Sequence, residues 1–376
     1  VSWPLTNVRR CSSALAAAAG WEERVEAAFI RGIRDVAMGE IAPPCAAEDE
    51  VLVAVEAVGI CGSDVHYYVE GAIGQQVVDA GGFVPGHEFA GRIADERGER
   101  FGLTAGTLVA VDPATPCGRC EWCRRGQVNL CPFVVFKGAP PHTGAMTRLV
   151  AARPEALFPV PNAFDATDAA MLEPLGVAVH AVDLARPGLL ESCAVIGCGA
   201  IGLLSLQVAK VAGVGETIAV EPLPDRRELA VALGADRAVG SVPELLEATS
   251  GRGVDLVIEA TDVREGFQLA AEAVRIGGRV VLVGIPEGDG YAPLQASLAR
   301  RKGLSVKFSR RMGHVYPRAI ELVRRGRVDV RRIATHHFPL AAAPEAFARQ
   351  AARADGIIKA ILHPQGSVGQ AREDEE

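Results

Sequence analysis

The stretch VIGCGAIGLL, residues 195–204, decides the fold. An apolar run leads into Gly197, Gly199 and Gly202 in the spacing GxGxxG, and helix-forming residues follow. At a strand-to-helix turn, the first glycine permits the tight bend and the second lets a pyrophosphate approach the backbone. The third lets helix and strand pack closely. The N–H groups of the first helical turn, with Ala200 and Ile201, then face the phosphates.

The spacing alone is weak; its surroundings make it strong. Working outward, CAVIG (193–197), TIAVE (217–221), RAVG (237–240), DLVIEA (255–260), RVVLVG (279–284) and LSVKFS (304–309) read as strands. Helical patterns fall between them, around 200–212, 225–234, 243–249, 264–276 and 292–301. This alternation predicts right-handed crossovers and a doubly wound parallel sheet covered on both faces, an α/β architecture. Glu221 ends the second strand, 19 residues after Gly202. A carboxylate there accepts hydrogen bonds from ribose hydroxyls and repels a 2′-phosphate, so NAD is expected over NADP. Arg226 and Arg227 follow within reach of a phosphate, which keeps Arg226 as a candidate cofactor contact.

Before this region the texture differs. VEAAFIRG from Val25, VLVAVEAV from Val51 and TLVAV from Thr107 read as strands by their valines and near alternation, separated by long Gly- and Pro-rich loops. After about residue 312, HVYPRAIELVRRG and APEAFARQAARA look helical, and GIIKAILHP suits a closing strand. The tail from Gly366 is polar and charged, and is expected to fray. The 376 residues and 49% apolar content fit about two domains with real cores.

A net charge of −7 argues against a nucleic-acid or anionic-membrane surface. No run approaches the roughly 18 apolar residues of a membrane span. The N-terminal VRRCSSALAAAAG is too short and alanine-dominated to suit a signal peptide, so an extension is expected and a cytoplasmic address with it. Nine cysteines form an odd, uneven set that suits metal thiolates in a reducing compartment better than a disulfide framework. Four of them, Cys117, Cys120, Cys123 and Cys131, are spaced C-x2-C-x2-C-x7-C. Four thiolates close a tetrahedral shell around Zn²⁺ and leave no place for water, so this site is structural. An iron–sulfur cluster is the competing use of such thiolates.

A second constellation is dispersed over GICGSDVHYY, VPGHEFAG and AMLEPLGVAVHA. It supplies Cys61, His87, Glu88 and Glu173. Thiolate, imidazole and carboxylate suit zinc with a fourth position open to an alcohol oxygen. Taken singly, each has a structural reading: an apolar buried thiol, a satisfied core histidine, an exposed helix start.

Together and in this order, GICGSDVHYY, GHEFAG, the four-cysteine lobe, MLEPLGVAVHA and VIGCGAIG resemble the zinc-dependent medium-chain alcohol dehydrogenases, most closely the sorbitol, xylitol and related polyol dehydrogenase branch. The resemblance runs from about residue 25 to 364. It implies a GroES-like, β-rich catalytic domain over 25–174 and 313–364, carrying the structural zinc lobe, with a Rossmann NAD-binding domain over 175–312. Residues 1–24 would be an extension and 365–376 a flexible tail. It further implies that Cys61 and His87 hold a catalytic zinc and that Glu88 and Glu173 are the two carboxylates of that site, one direct and one through water. Ser63 and His66 match its proton relay. Tyr67 and Arg311 match positions that touch polyol hydroxyls, with Arg310 an alternative in register. The implied cofactors are NAD and two zinc ions, one catalytic and one structural. The implied partner is a small alcohol or polyol, and a homo-oligomer, dimer or tetramer, is expected.

The expected reaction is oxidation of a secondary alcohol, a polyol, to the ketone by hydride transfer. L-threonine and 2,3-butanediol are alternative substrates, because relatives that use them share the motifs above. A cofactor-binding structural or regulatory protein is the non-enzymatic alternative, and it would have lost Cys61, His87, Ser63 or Glu173. Two features depart from the family pattern: the usual Gly-Asp turn before TLVAV is missing, and Asp262 stands where relatives commonly carry glycine.

Overall fold

The computed structural model describes residues 24–366 except Asp289. The expected extension over 1–24 and the tail over 365–376 thus lie almost wholly outside the described residues. The chain opens with a β-hairpin, β1 (Val25–Gly32) and β2 (Asp35–Ile41). Then comes β3 (Val51–Gly59), buried along almost its whole length, and α1 (Gly62–Glu70), a helix for which the sequence shows no helical periodicity. Cys61 is its N-cap, and Asp64 at the third helical position returns a bond to the Cys61 N–H at 3.0 Å. That reciprocal cap is what turns GSDVHYYVE helical straight after a strand.

β4 (Glu88–Ile93), β5 (Leu108–Val111), β6 (Leu149–Ala152) and β7 (Leu157–Pro159) follow, then the buried helix α2 (Leu172–Ala185). From there strands and helices alternate: β8 (Ser192–Ile196), α3 (Ala200–Val211), β9 (Glu216–Val220), α4 (Pro224–Ala232), β10 (Arg237–Val239), α5 (Val242–Ala248), β11 (Val254–Glu259), α6 (Gly266–Ala273), β12 (Val274–Leu282), α7 (Ala296–Lys302) and β13 (Ser305–Phe308). They form an all-parallel six-stranded sheet in the order β10-β9-β8-β11-β12-β13. The strand order reverses between β8 and β11, and a dinucleotide lies outside the carboxyl ends of strands at such a switch.

The chain then returns to the first sheet. α8 (Tyr316–Arg324) packs on α2, and Tyr316 stacks on Phe158 at 4.4 Å while donating to the Val111 carbonyl at 2.9 Å. β14 (His336–Pro339), α9 (Ala343–Ala352) and β15 (Ala360–His363) complete a seven-stranded sheet, β7-β5-β4-β3-β15-β14, with β6 also on β3. N- and C-terminal segments therefore build one sheet and the middle of the chain builds the other. Among the described residues, no helix is long and apolar enough to cross a membrane.

Several element boundaries differ from the sequence reading, two of them for a local reason. β12 begins at Val274 rather than Arg279, because Val274 pairs with Val254 ahead of an irregularity in register. α7 begins at Ala296 rather than 292, since Pro293 disfavours helical geometry at the residue before it.

The turn after β8 meets the demands placed on its glycines. Gly197 has φ +90, and a Cβ at Gly202 would sit 1.8 Å from the Gly197 carbonyl oxygen. Gly202→Ala should therefore cost about 3 kcal/mol of stability, at the upper end for overpacking. Urea unfolding should show it, with weaker NADH binding by fluorescence titration because the same turn is displaced.

Candidate functional site

Two groups of metal-ligating side chains stand out among the described residues. The Sγ atoms of Cys117, Cys120, Cys123 and Cys131 all lie within 4.8 Å of one another. Backbone N–H groups point at this sulfur cluster, Cys117 N–H to Cys131 Sγ at 3.4 Å and Cys123 N–H to Cys120 Sγ at 3.5 Å. Chiefly through the Arg119 N–H, such donors draw the Cys117 thiol down to about 6, while burial and the neighbouring thiols push Cys123 up to about 12. Cys61, Cys117, Cys120, Cys123, Cys131, Cys193 and Cys198 form no disulfide.

The second group is Cys61, His87 and Glu88, again with ligand atoms within 4.8 Å of one another. Cys61 stands at the junction of β3 and α1, and His87 and Glu88 at the start of β4. Gly59 opposite Glu88 leaves room for its side chain, since a Cβ there would lie 2.3 Å from Oε2. His87 turns Nδ1 towards Oδ1 of the fully buried Asp64 at 3.7 Å, and both atoms are buried without a hydrogen-bond partner. That leaves Nε2 free for a ligand role, with a carboxylate behind the ring to orient it. Glu173, at the start of α2, is buried nearby but does not join the group. Its carboxyl is held well above the usual carboxylate range, first by burial and then by Glu88 and Cys61, while His87 opposes.

The structure adds a residue the sequence reading missed. Lys359, on the segment leading into β15, places Nζ 2.7 Å from both Glu88 oxygens and 3.0 Å from the Ile60 carbonyl. Both side chains of the pair are almost fully buried. Its only sequence signal is a lone lysine inside the apolar run GIIKAIL, where a buried charge demands a partner. Asp64 was also missed, although an acidic residue three positions after Cys61 is a capping signal.

The other nominated residues fall around these two groups. The Ser63 hydroxyl hydrogen-bonds to Cys61, whose thiol burial pushes up to about 12, with Glu88 adding to the effect. His66 lies one turn further along α1 and reaches the Ile285 carbonyl at 3.1 Å. Tyr67 donates to Gln76 Oε1 at 3.3 Å. The Arg311 guanidinium lies over the Phe136 ring at 4.6 Å, and His87 lies against the same ring at 5.3 Å. Arg310 turns its carbonyl towards Asn129. At the glycine turn, Gly199 caps α3, which begins with Ala200 and Ile201. Glu221 is buried and accepts from the Cys198 N–H at 2.7 Å and the Leu223 N–H at 3.1 Å. Arg226 is buried too, and donates to the Ile357 carbonyl at 3.1 Å, across to the segment before β15. Asp262, the residue in place of a family glycine, pairs with Arg353 at the end of α9.

Comparison with known proteins agrees with this geometry. The alcohol dehydrogenase GroES-like domain family matches residues 47–162, and the zinc-binding dehydrogenase family matches 200–325. A sorbitol dehydrogenase of Bacillus subtilis (strain 168) is 33% identical over 91% of this chain and 98% of its own length. This chain belongs to the zinc-dependent medium-chain alcohol dehydrogenases. An L-idonate 5-dehydrogenase of Vitis vinifera is 32% identical over 90% of this chain and 94% of its own. The crystal structure of L-idonate 5-dehydrogenase from Escherichia coli superposes with a TM-score of 0.82 at 27% identity, covering 90% of this chain and 98% of that one. As a family member this dehydrogenase is an oxidoreductase of CH–OH groups that uses zinc and a nicotinamide cofactor. The donor sets fit two zinc ions: a closed shell of four thiols, and a thiol, imidazole and carboxylate with a position to spare.

Removing the positive partner of a buried ion pair strands the other charge. Lys359→Met should cost this dehydrogenase about 3–5 kcal/mol in metal-free urea unfolding. The loss should shrink when zinc is present, and the double variant Lys359→Met, Glu88→Gln should recover most of it.

Proposed function

We propose that this dehydrogenase oxidises a secondary hydroxyl of a polyol or sugar alcohol to the ketone, with NAD as hydride acceptor. The observation that carries the substrate class is Arg311. Its Nη1 is buried with no hydrogen-bond partner, while its guanidinium lies on Phe136 beside His87. An unpaired donor in that place calls for a substrate with hydroxyls beyond the one that reacts. A small apolar diol would leave it unpaired, and buried polar groups discriminate strongly against such analogues. The names of relatives, sorbitol dehydrogenase and L-idonate 5-dehydrogenase, point the same way.

In this reading Cys61, His87 and Glu88 hold the catalytic zinc, with Glu173 close behind, and the four-cysteine lobe holds the structural one. When bound, zinc supplies Lewis acidity at the reacting hydroxyl and the nicotinamide takes the hydride. Ser63 accepts the hydroxyl proton and His66 carries it away. Tyr67 and Arg311 fix the remaining hydroxyls. Glu221, held against the glycine turn, favours NAD over NADP, because a 2′-phosphate would meet a buried carboxylate. A GroES-like catalytic domain over 25–174 and 313–364 around a Rossmann domain over 175–312, a homo-oligomeric state and a cytoplasmic address belong to the same reading.

The test is a spectrophotometric panel with sorbitol, xylitol, L-threonine, 2,3-butanediol and simple alcohols, each with NAD and NADP. A polyol with NAD should exceed butanediol by about tenfold or more in kcat/KM, the worth of one hydrogen bond to a charged group. Butanediol or threonine at the top of the panel would sink the substrate class. Cys61→Ala should abolish turnover and remove about one zinc per chain while the four-cysteine metal stays. Loss of both metals together, measured by elemental analysis, would count against separate sites.

A further inference from the structure

His66 and the loop after β12 meet at one carboxylate that the proposed chemistry leaves without a task. Glu70 closes α1. Its Oε1 lies 2.8 Å from His66 Nδ1, one turn back along the helix. Its Oε2 accepts the backbone N–H of Gly288 at 2.9 Å, from the other sheet's side of the cleft. The opposite ring nitrogen, His66 Nε2, lies 3.1 Å from the Ile285 carbonyl. An ordinary i,i+4 pair on a helix surface would leave the second carboxylate oxygen in water. Here it is bound to an amide 218 residues away.

The loop so held borders the glycine turn. A Cβ at Gly284 would lie 1.9 Å from the Thr261 carbonyl, and one at Gly197 would lie 2.7 Å from Thr261 Cγ2. The Glu287 N–H donates to the Asp262 carbonyl at 2.8 Å. Residues 284–288 thus run beside the ends of β8 and β11, where the strand order reverses and a dinucleotide lies.

We propose that Glu70 is a positioning residue, whose one carboxylate holds the His66 ring and the cofactor-side loop 285–288 in fixed relation to each other. The relay imidazole then keeps its place only while that loop is in register, which ties proton removal to the wall of the cofactor crevice. The proposal rests on the reading of His66 as the relay.

The experiment compares zinc-loaded wild type with Glu70→Ala and Glu70→Gln. Glutamine keeps one acceptor oxygen for Gly288, but its NH₂ cannot accept from a ring N–H. Hydrogen exchange over residues 283–288, measured without cofactor, should quicken about tenfold in Glu70→Ala, the loss of one hydrogen bond, and stay near wild type in Glu70→Gln. NADH affinity by fluorescence should follow the same split. With the best alcohol of the panel, kcat should fall about tenfold in both variants, since neither restores the acceptor at His66. Unchanged exchange in Glu70→Ala overturns the link to the loop, and wild-type kcat in Glu70→Gln overturns the link to His66. Exchange and NADH binding need no alcohol, so a wrong substrate class would fail in the panel and leave these two readouts intact.

Discussion

Everything at this site depends on cations, because acidic groups are packed where water is scarce. Asp64, Glu88 and Glu173 are buried around Cys61 and His87. Three carboxyls and a thiol in one enclosure cannot all ionise without positive charge beside them. Lys359 supplies one such charge permanently, through two short bonds to Glu88. A divalent ion among Cys61, His87 and Glu88 would supply the other. A bound metal would therefore relieve the electrostatics of this interior as well as supply chemistry.

The two sheets bring these groups to the cofactor edge by an economical route. β3 ends at Gly59, and the capped turn at Cys61 starts α1 at once. One helix thereby carries Cys61 at its N-cap and Ser63, His66, Tyr67 and Glu70 along its length. His66 and Glu70 then reach across to the loop after β12. Asp262 and Arg353 make a further tie between the same loop region and the C-terminal segment. Arg226 adds one more, from α4 to the Ile357 carbonyl. The cleft is laced by polar contacts on several sides, so the separation of the sheets is set by directional bonds in addition to apolar packing.

The parallel sheet was legible because its strands are short apolar runs between helical patterns, and the glycine spacing fixes where the first crossover begins. The four-cysteine lobe was legible because all its ligands lie within one loop. The α1 helix was not, since nine residues rich in β-formers, GSDVHYYVE, lack a helical stripe, and only the cap at Cys61 and Asp64 commits them. Lys359 could not be assigned either: its partner Glu88 is 271 residues away, and nothing local says which acid a buried lysine will meet. Arg226 shows the same limit from the other direction. Its place after the second strand suggests a phosphate, yet its guanidinium is turned to a backbone carbonyl 131 residues on.

The sequence nominated two carboxyls beside the catalytic group without ranking them, and their surroundings differ in a way that bears on the choice. Glu88 sits with Cys61 and His87, and both its oxygens are paired with Lys359 Nζ. A carboxylate offers about four lone-pair sites, so bonds to Lys359 still leave room for a metal contact. Glu173 has no ion-pair partner among the described residues, and burial holds it towards the neutral form. Drawing Glu173 onto a metal would require ionising it against the burial that raises it, whereas Glu88 already faces a cation. On the proposed reading, Glu88 would be the direct ligand of the zinc and Glu173 a neighbour whose burial favours the neutral form, able to donate a hydrogen bond to water or to a substrate hydroxyl.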